Sequence, residues 1–501
     1  MLTALVAAPL LVALVLSAVP ATADRRVFLG SWVGLAALEV IGVVVVWVTA
    51  TPSRPTGYAH ELAVRWIPAL GVGYHVGVDG LSLPLVALTA VLFLAVAVYS
   101  LRETRRVKAY VLLFLGLQAV SLGTFVALDL VLFFVFFDLS IVAMYFVVAG
   151  WGARDAARSA LQFFLYTFLG SLVMLLGFLG LAVLGGGPVT FDIPTLLAAN
   201  PLAGHGVAGA LVLTAVALGL AIKTPVVPLH TWLPDAHTDA PAAGSAILAG
   251  VLLKMGTYGL LRIAVPLLPG PWRAVALTVA ILGVVSVLWG ALVALAQVDL
   301  KRMIAYTSVN HMGYVVLAVG VAGAVGDGFA GDQARTLAVT GATVQMVSHG
   351  LVTGALFLLA GVLADRGGTH DMTAWSGLAA AAPRYAVLLT VAAFAALGLP
   401  GFSGFVGEFP ILAGALPSRP WAAVLAAVGI VITAALFLRA LQRLLLGPRR
   451  APVSEVGDLR PHEIASVAPL LVLSFLVGVL PSVVTSVVEP SARLLVTLVG
   501  R

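Results

Sequence analysis

The 501-residue sequence contains no cysteine, which removes disulfide scaffolds, thiolate-held iron–sulfur clusters and Cys-rich zinc sites. Charge is nearly as scarce: Asp, Glu, Lys and Arg make up 10% of the chain, against about 25% in an ordinary soluble domain. There is no Walker A sequence and no glycine fingerprint following a strand, so neither ATP hydrolysis nor NADH binding is encoded, and redox chemistry is left to other proteins. The formal charge of +6 does not mark a nucleic-acid binder, because Lys and Arg lie in short segments between apolar runs and form no basic stripe.

What the sequence does have is apolar length: 61% of residues are hydrophobic and the mean hydropathy is +1.12. At ~20 apolar residues per crossing, these runs predict an all-α polytopic membrane protein with about fourteen spans. They fall near 2–20, 28–50, 80–101, 109–128, 130–151, 159–185, 207–229, 242–266, 272–296, 303–324, 338–364, 384–412, 421–441 and 465–488. The first run has no basic segment before it and is followed at once by another span, so it reads as a retained helix. The longest connection, about 51 to 79, offers only Pro, Gly and scattered charge. Residues 1–108 thus hold helices one to three, 109–266 and 272–445 hold five helices each, and 446–501 holds helix fourteen. Odd-numbered loops contain Arg25, Arg26, Arg102, Arg105, Arg106, Lys108, Arg154, Arg158, Lys301, Arg302, Arg366, Arg384 and the basic residues from Arg439 to Arg460. Even-numbered loops contain only Arg54, Arg65, Arg273, Arg335 and Arg419. The positive-inside rule then places the odd loops in the cytoplasm and both termini on the extracytoplasmic side of the cell's inner membrane.

A charge at mid-depth costs about 2.5 to 3.5 kcal/mol on the insertion scale, so each one asks for a reason. Five ionisable residues fall within the predicted spans: Asp138 in FFVFFDLSIVAMYF, Lys223 in LGLAIKTPVVP, Lys254 in LAGVLLKMGTYG, His349 in QMVSHGLVTG and Glu408 in LPGFSGFVGEFPIL. Static ion pairs that fix helix packing are one reading; a hydrated ion pathway is the other, and five such residues spread along the chain favour it. Lys223 is followed by Pro225 and Pro228, and Glu408 follows Pro400, Gly401, Gly404 and Gly407. Both spans should therefore be broken, as at a transport site built from two related bundles, and the odd number of helices in each bundle makes them inverted.

The stretch HTWLPDAHTDAP brings together His230, Asp235, His237 and Asp239. Their spacing fits no zinc signature, and a proton-access vestibule or a hydrogen-bonded bend explains them better; no metal is expected. In DLKRMIAYTSVNHMGY, Asp299, Lys301 and Arg302 read as a solvated cap and orientation signal, while His311 lies deeper and joins the candidate access residues. His349 has no second His placed to complete a haem axial pair. Asp79 and Asp129 lie at predicted helix ends, where capping suffices.

These blocks, from KTPVVPLHTWLPDAHTDAPAAGSAILAGVLLKMGTYGLLR to LPGFSGFVGEF, closely resemble the antiporter-like subunits of respiratory complex I over most of the chain. Within that family Lys254 in LLKMGTYG and Glu408 in GEF point to the M-type branch, since the L and N types usually place Lys in the matching last helix. The resemblance implies fourteen helices with two inverted five-helix repeats, each with a broken helix. It also implies roles: Lys223 as broken-helix lysine, Lys254 as central lysine, His349 as linking residue and Glu408 as terminal carboxylate. The family usually pairs its first lysine with Glu; Asp138 stands there in this chain, one methylene shorter, so a water is expected to bridge the pair. The function implied is proton translocation coupled to electron transfer from NADH to quinone. This chain would carry no cofactor, while FMN, iron–sulfur clusters and quinone sit in partner subunits and L- and N-type subunits lie alongside. Two alternatives stay open: a subunit of a multi-subunit cation/proton exchanger, and a structural scaffold in which Asp138 has silenced the relay.

Overall fold

A computed structural model describes residues 1–50, 57–184, 187–324, 328–448 and 457–500. The chain begins with α1 (Leu2–Ala18) and α2 (Arg25–Thr49), then a two-stranded antiparallel hairpin of β1 (Ala59–Ile67) and β2 (Val72–Val78). There follow α3 (Leu83–Tyr99), α4 (Val107–Val126), α5 (Leu130–Trp151), α6 (Ala156–Val183) and the short α7 (Ile193–Ala199). Helix starts are set by local chemistry. Asp24, Asp129, Asp192 and Asp299 each accept backbone N–H groups of the following turn, a contribution of about 1 kcal/mol apiece.

The seventh crossing is broken. Helix α8 (Gly206–Lys223) stops at Lys223, and a turn carrying Pro225 and Pro228 leads to α9 (Leu233–Asp239). The eighth is one continuous rod of α10 (Ala242–Ile247), α11 (Leu253–Gly259) and α12 (Val265–Leu267), joined by wide π-helical turns at Leu248–Leu252 and Leu260–Ala264. Next come α13 (Pro269–Ala296), α14 (Leu300–Ala322) and the 40-residue α15 (Gly328–Gly367), then α16 (Leu378–Ala381). The twelfth crossing is broken too, into α17 (Pro383–Ala396) and α18 (Ser403–Ala415). The chain closes with α19 (Pro420–Leu445), α20 (Pro461–Val479) and α21 (Ser482–Val499).

Thirteen helices among the described residues are long and apolar enough to cross a membrane by length and composition. The outer helices show lipid-facing stripes, with Leu176 on α6 and Val431 on α19 exposed. The rod from 243 to 267 and the 338–363 part of α15 are instead buried throughout, as expected for helices apolar all round at the centre of a bundle. Helices α13 and α14 approach most closely through glycines seven residues apart. A Cβ on Gly283 would lie 2.5 Å from Leu317 N, one on Gly290 2.5 Å from Asn310 N, and those on Gly313 and Gly320 2.6 Å from the facing backbone. Small residues that let backbones touch are what apolar surroundings require of tight helix pairs.

Two expectations need correction. The span read as 465–488 ends at Val479, and Pro481 starts a separate helix. Gly80 N–H donates to Ser491 Oγ at 3.0 Å and Arg273 to Val499 O at 3.1 Å, so α21 lies along the face opposite the basic loops. Val484, Val488, Ala492, Leu495 and Val499 form its buried stripe. The 51–79 connection is more than Pro, Gly and scattered charge: from Ala59 to Val78 it is the hairpin, while 51–56 lies outside the described residues. Gly71 closes the hairpin at φ +67°, and a Cβ there would sit 2.1 Å from Val189 O, so both conformation and space demand glycine.

His75 of β2 latches the hairpin down. Its Nδ1 lies 2.5 Å from Asp192 Oδ1 and its Nε2 2.9 Å from Glu61 Oε1. Burial pulls its acidity the other way, but the two carboxylates prevail and hold the imidazole above its ordinary 6.5. Burial of Asp192 likewise opposes ionisation, yet His75 and Thr195 hold its carboxyl below 3.8. The sign follows for each group. The His75 contribution is complete below pH 6.5 and disappears as pH rises through the elevated native value; that of Asp192 is complete above pH 3.8 and disappears as pH falls through the depressed one. Amide exchange of β1–β2, corrected for intrinsic chemistry, should be slowest between these limits and quicken toward alkaline pH, and His75→Gln should abolish that alkaline limb. A flat profile in the parent would show that the latch carries no weight.

Candidate functional site

Lys223, Lys254, His311, His349 and Glu408 are all buried, between 0 and 4% exposed. Lys223 is the last residue of α8, where the prolines end the helix. Its ammonium donates to Ser140 Oγ at 3.3 Å and lies 4.9 Å above the Phe137 ring and 5.8 Å from that of Phe163. Asp138 on α5 is half-buried, and its Oδ1 has no hydrogen-bond partner. No ion pair joins it to Lys223 among the described residues. The pair stands open, with the aromatic faces supplying part of the lysine's surroundings.

Lys254 occupies the rod between its two π-helical turns. Its Nζ donates to Ala249 O and lies 2.6 Å from His349 Nδ1 on α15. A proton on either nitrogen satisfies that bond, since an ammonium can donate to an imidazole and an imidazolium to an amine. The His349 ring meets that of His311, on α14, edge to face with centroids 5.4 Å apart. His311 Nε2 donates to Ala396 O at 3.1 Å, at the break of the twelfth crossing, and stands 3.9 Å from Glu408 Oε1. Gln345 Nε2 donates to the same oxygen at 3.1 Å. Two glycines make room: Gly398, at φ +74°, would place a Cβ 2.7 Å from Glu408 Oε2, and Gly407 one 2.4 Å from Gln345 Oε1. A cavity of about 10 Å³ lies among His311, His349, Ser348 and Glu408, which is the room a single water needs.

The remaining access residues divide. Asp235 pairs with Arg302 at 2.9 Å in a half-exposed bridge on the basic-loop face. His230 is buried with Nδ1 unpaired and its ring edge-on to Tyr306. His237 is fully buried, stacked on Phe357 at 4.7 Å, with neither ring nitrogen hydrogen-bonded; it lies within electrostatic range of both Lys254 and Lys301. Asp239 accepts from Ser159 at 2.5 Å. Lys301 is a correction. It is no solvated cap residue but turns inward, 2% exposed, donating to the carbonyls of Thr238 and Ala240 where α9 ends. Above it a cavity of about 540 Å³ opens on the basic-loop face, lined among others by Glu103, Arg154, Asp365, His370 and Glu463. Asp299 does cap α14 and pairs with Arg154 at 3.1 Å.

Sequence reasoning placed His311 among the access residues only and missed Gln345 altogether. It also missed a hydroxyl chain in which Ser403 Oγ donates to Ser348 and meets Ser474 Oγ on α20, both at 2.7 Å. The four-residue step from Gln345 to His349 would have placed both on one face of α15; isolated serines in apolar runs gave no signal. Among the described residues no cluster of three or more His, Asp or Glu is arranged to hold a metal.

The sequence model of the family described as NADH:quinone oxidoreductase/Mrp antiporter, TM, matches residues 127–433. NADH-quinone oxidoreductase subunit M of Rhodobacter capsulatus is 39% identical over 487 residues, 95% of this chain and 91% of that protein. F(420)H(2) dehydrogenase subunit M of Methanosarcina mazei is also 39% identical, over 87% of this chain and 86% of that one. A chain of respiratory complex I from Thermus thermophilus superimposes with a TM-score of 0.88 at 31% identity, covering 100% of both.

An axis kept for packing and one kept for chemistry differ in what apolar replacement does. Lys254 is fully buried and makes no ion pair among the described residues. Lys254→Met removes a buried ionisable group that no ion pair compensates and should therefore hold or raise the unfolding temperature in lipid nanodiscs. A marked loss of stability would return Lys254 to a structural role.

Proposed function

Because the chain belongs to the NADH:quinone oxidoreductase/Mrp antiporter family, we propose that it is the M-type membrane subunit of a proton-translocating NADH:quinone oxidoreductase, moving protons while partner subunits pass electrons from NADH to quinone. The observation that carries the reading is the buried line Lys254–His349–His311–Glu408, with steps of 2.6 Å, edge-to-face rings and 3.9 Å. Each member exchanges protons, and neighbouring members come from four different elements. Protons are taken up on the basic-loop, cytoplasmic face through the cavity above Lys301, pass His237 to Lys254 and His349, and leave from Glu408 by way of the single-water cavity and the Ser348–Ser403–Ser474 hydroxyls. Asp138 and Lys223 form the electrostatic switch at the near end. Moving one charge against 100 mV costs about 2.3 kcal/mol, roughly 1.7 pKa units at 1.36 kcal/mol each, a scale that opening and closing one charge pair supplies.

The repeats read from the broken helices are 109–266 and 272–445, inverted relative to each other, in a chain of the cell's inner membrane with both termini extracytoplasmic. L- and N-type antiporter-like subunits are its neighbours, and FMN, iron–sulfur clusters and quinone reside in the partners. The exchanger reading is less favoured because the two relatives described above are an NADH-quinone oxidoreductase subunit and an F(420)H(2) dehydrogenase subunit.

In the assembled complex, Lys223→Ala should preserve electron transfer to artificial acceptors and cut coupled proton uptake by an order of magnitude or more; unaltered pumping would refute the assignment. Asp138→Glu separates the relay from the scaffold. A working relay should change little on closing the open pair, whereas a large gain in coupling would mean that the aspartate had silenced it.

A further inference from the structure

Arg262 is the one buried guanidinium on the rod that carries Lys254, and the relay makes no use of it. It lies eight residues beyond Lys254, in the second π-helical turn, toward the end of the rod that meets the hairpin and α21. Its three nitrogens are all committed. Nε donates to Tyr258 Oη at 3.1 Å, one terminal nitrogen to Tyr58 Oη at 3.1 Å, and the other to Asp79 in a buried ion pair. Both tyrosine rings lie under the guanidinium, at 5.3 and 5.4 Å. The partners are themselves fixed. Tyr258 donates to Phe125 O on α4, and Asp79 accepts from the N–H groups of Leu81 and Ser82 at the head of α3. Tyr58 and Asp79 flank the hairpin, so this layer stands between the central lysine and the face opposite the basic loops.

A guanidinium does not release its proton at any physiological pH, so it cannot act as a relay member. A positive charge fixed in place by three hydrogen bonds also raises the energy of an arriving hydronium, the device by which arginines exclude protons from pores. We propose that Arg262 is an electrostatic seal that closes the outer side of the chamber around Lys254, so that a proton held there leaves only by the lateral route through His349 and His311 to Glu408. The inference rests on the proton-translocation reading and adds why a lysine at the centre of the membrane does not discharge straight across it.

The test uses the whole complex in sealed liposomes with electron transfer stopped, following decay of an imposed pH gradient with a trapped fluorescent indicator. Arg262→Gln should speed the decay roughly tenfold, the change that about 1.4 kcal/mol of barrier produces. Asp79→Asn, which leaves the guanidinium charged, should hold the gradient, and adding Lys254→Ala to Arg262→Gln should restore tightness. A parent-like rate in Arg262→Gln overturns the seal. So does a leak in Asp79→Asn as large as in Arg262→Gln, or one that persists without Lys254. If Arg262→Gln fails to accumulate in the complex, Arg262→Lys takes its place: a side chain able to lose its proton should leak at an intermediate rate, and a parent-like rate again overturns the proposal. Because no turnover is involved, a failed seal and normal pumping in Lys223→Ala are separate outcomes.

Discussion

Everything in this molecule depends on keeping ionisable groups away from hydrocarbon while leaving them at membrane depth. Two stretches of helix enclosed by protein make this possible: 243–267 of the rod and 338–363 of α15. Lys254 and His349 meet where these two helices face each other. A lysine on an outer helix such as α6 or α19 would have to reach toward the interface to find water. On the rod it finds an imidazole and a backbone carbonyl instead, and the apolar periphery absorbs the contact with lipid.

The breaks in α8/α9 and α17/α18 follow from the same constraint. Irregular backbone at this depth is tolerated only where protein or a water-filled space satisfies its polar groups. Lys223 sits on the last turn before one break, and Ala396 O, next to the other, accepts from His311. The Ala396 carbonyl is thus part of the polar axis, and the glycines at 398 and 407 let a carboxylate and an amide lie against backbone where any side chain would intrude.

Much of this was legible in the sequence because the signals are local. Apolar run length marked the crossings, Pro and Gly marked the two breaks, and charge in an apolar run marked Asp138, Lys223, Lys254, His349 and Glu408. What was not legible depends on which way a side chain turns. Lys301 stands in an apparently solvated DLKR turn yet points into the protein, and His311 acquires its place only from the crossing of α14 with α15 and α18. The hairpin was hidden because β1 is largely exposed and its pairing depends on distant partners, Asp192 above all. Helix α21 was hidden because an amphipathic helix lying on a face and the tail of a crossing have similar composition.

The glycines that let α13 and α14 touch backbone to backbone carry one more implication. With Gly283 and Gly290 facing Leu317 and Asn310, and Gly313 and Gly320 facing Val287 and Ala280, the two rods interlock like gear teeth cut at matching pitch. Neither can slip past the other without collision, so this partition behaves as a stiff wall. A mechanical signal that crosses this pair must travel through rotating side chains, rearranging water or the interrupted segments, not through α13 sliding past α14.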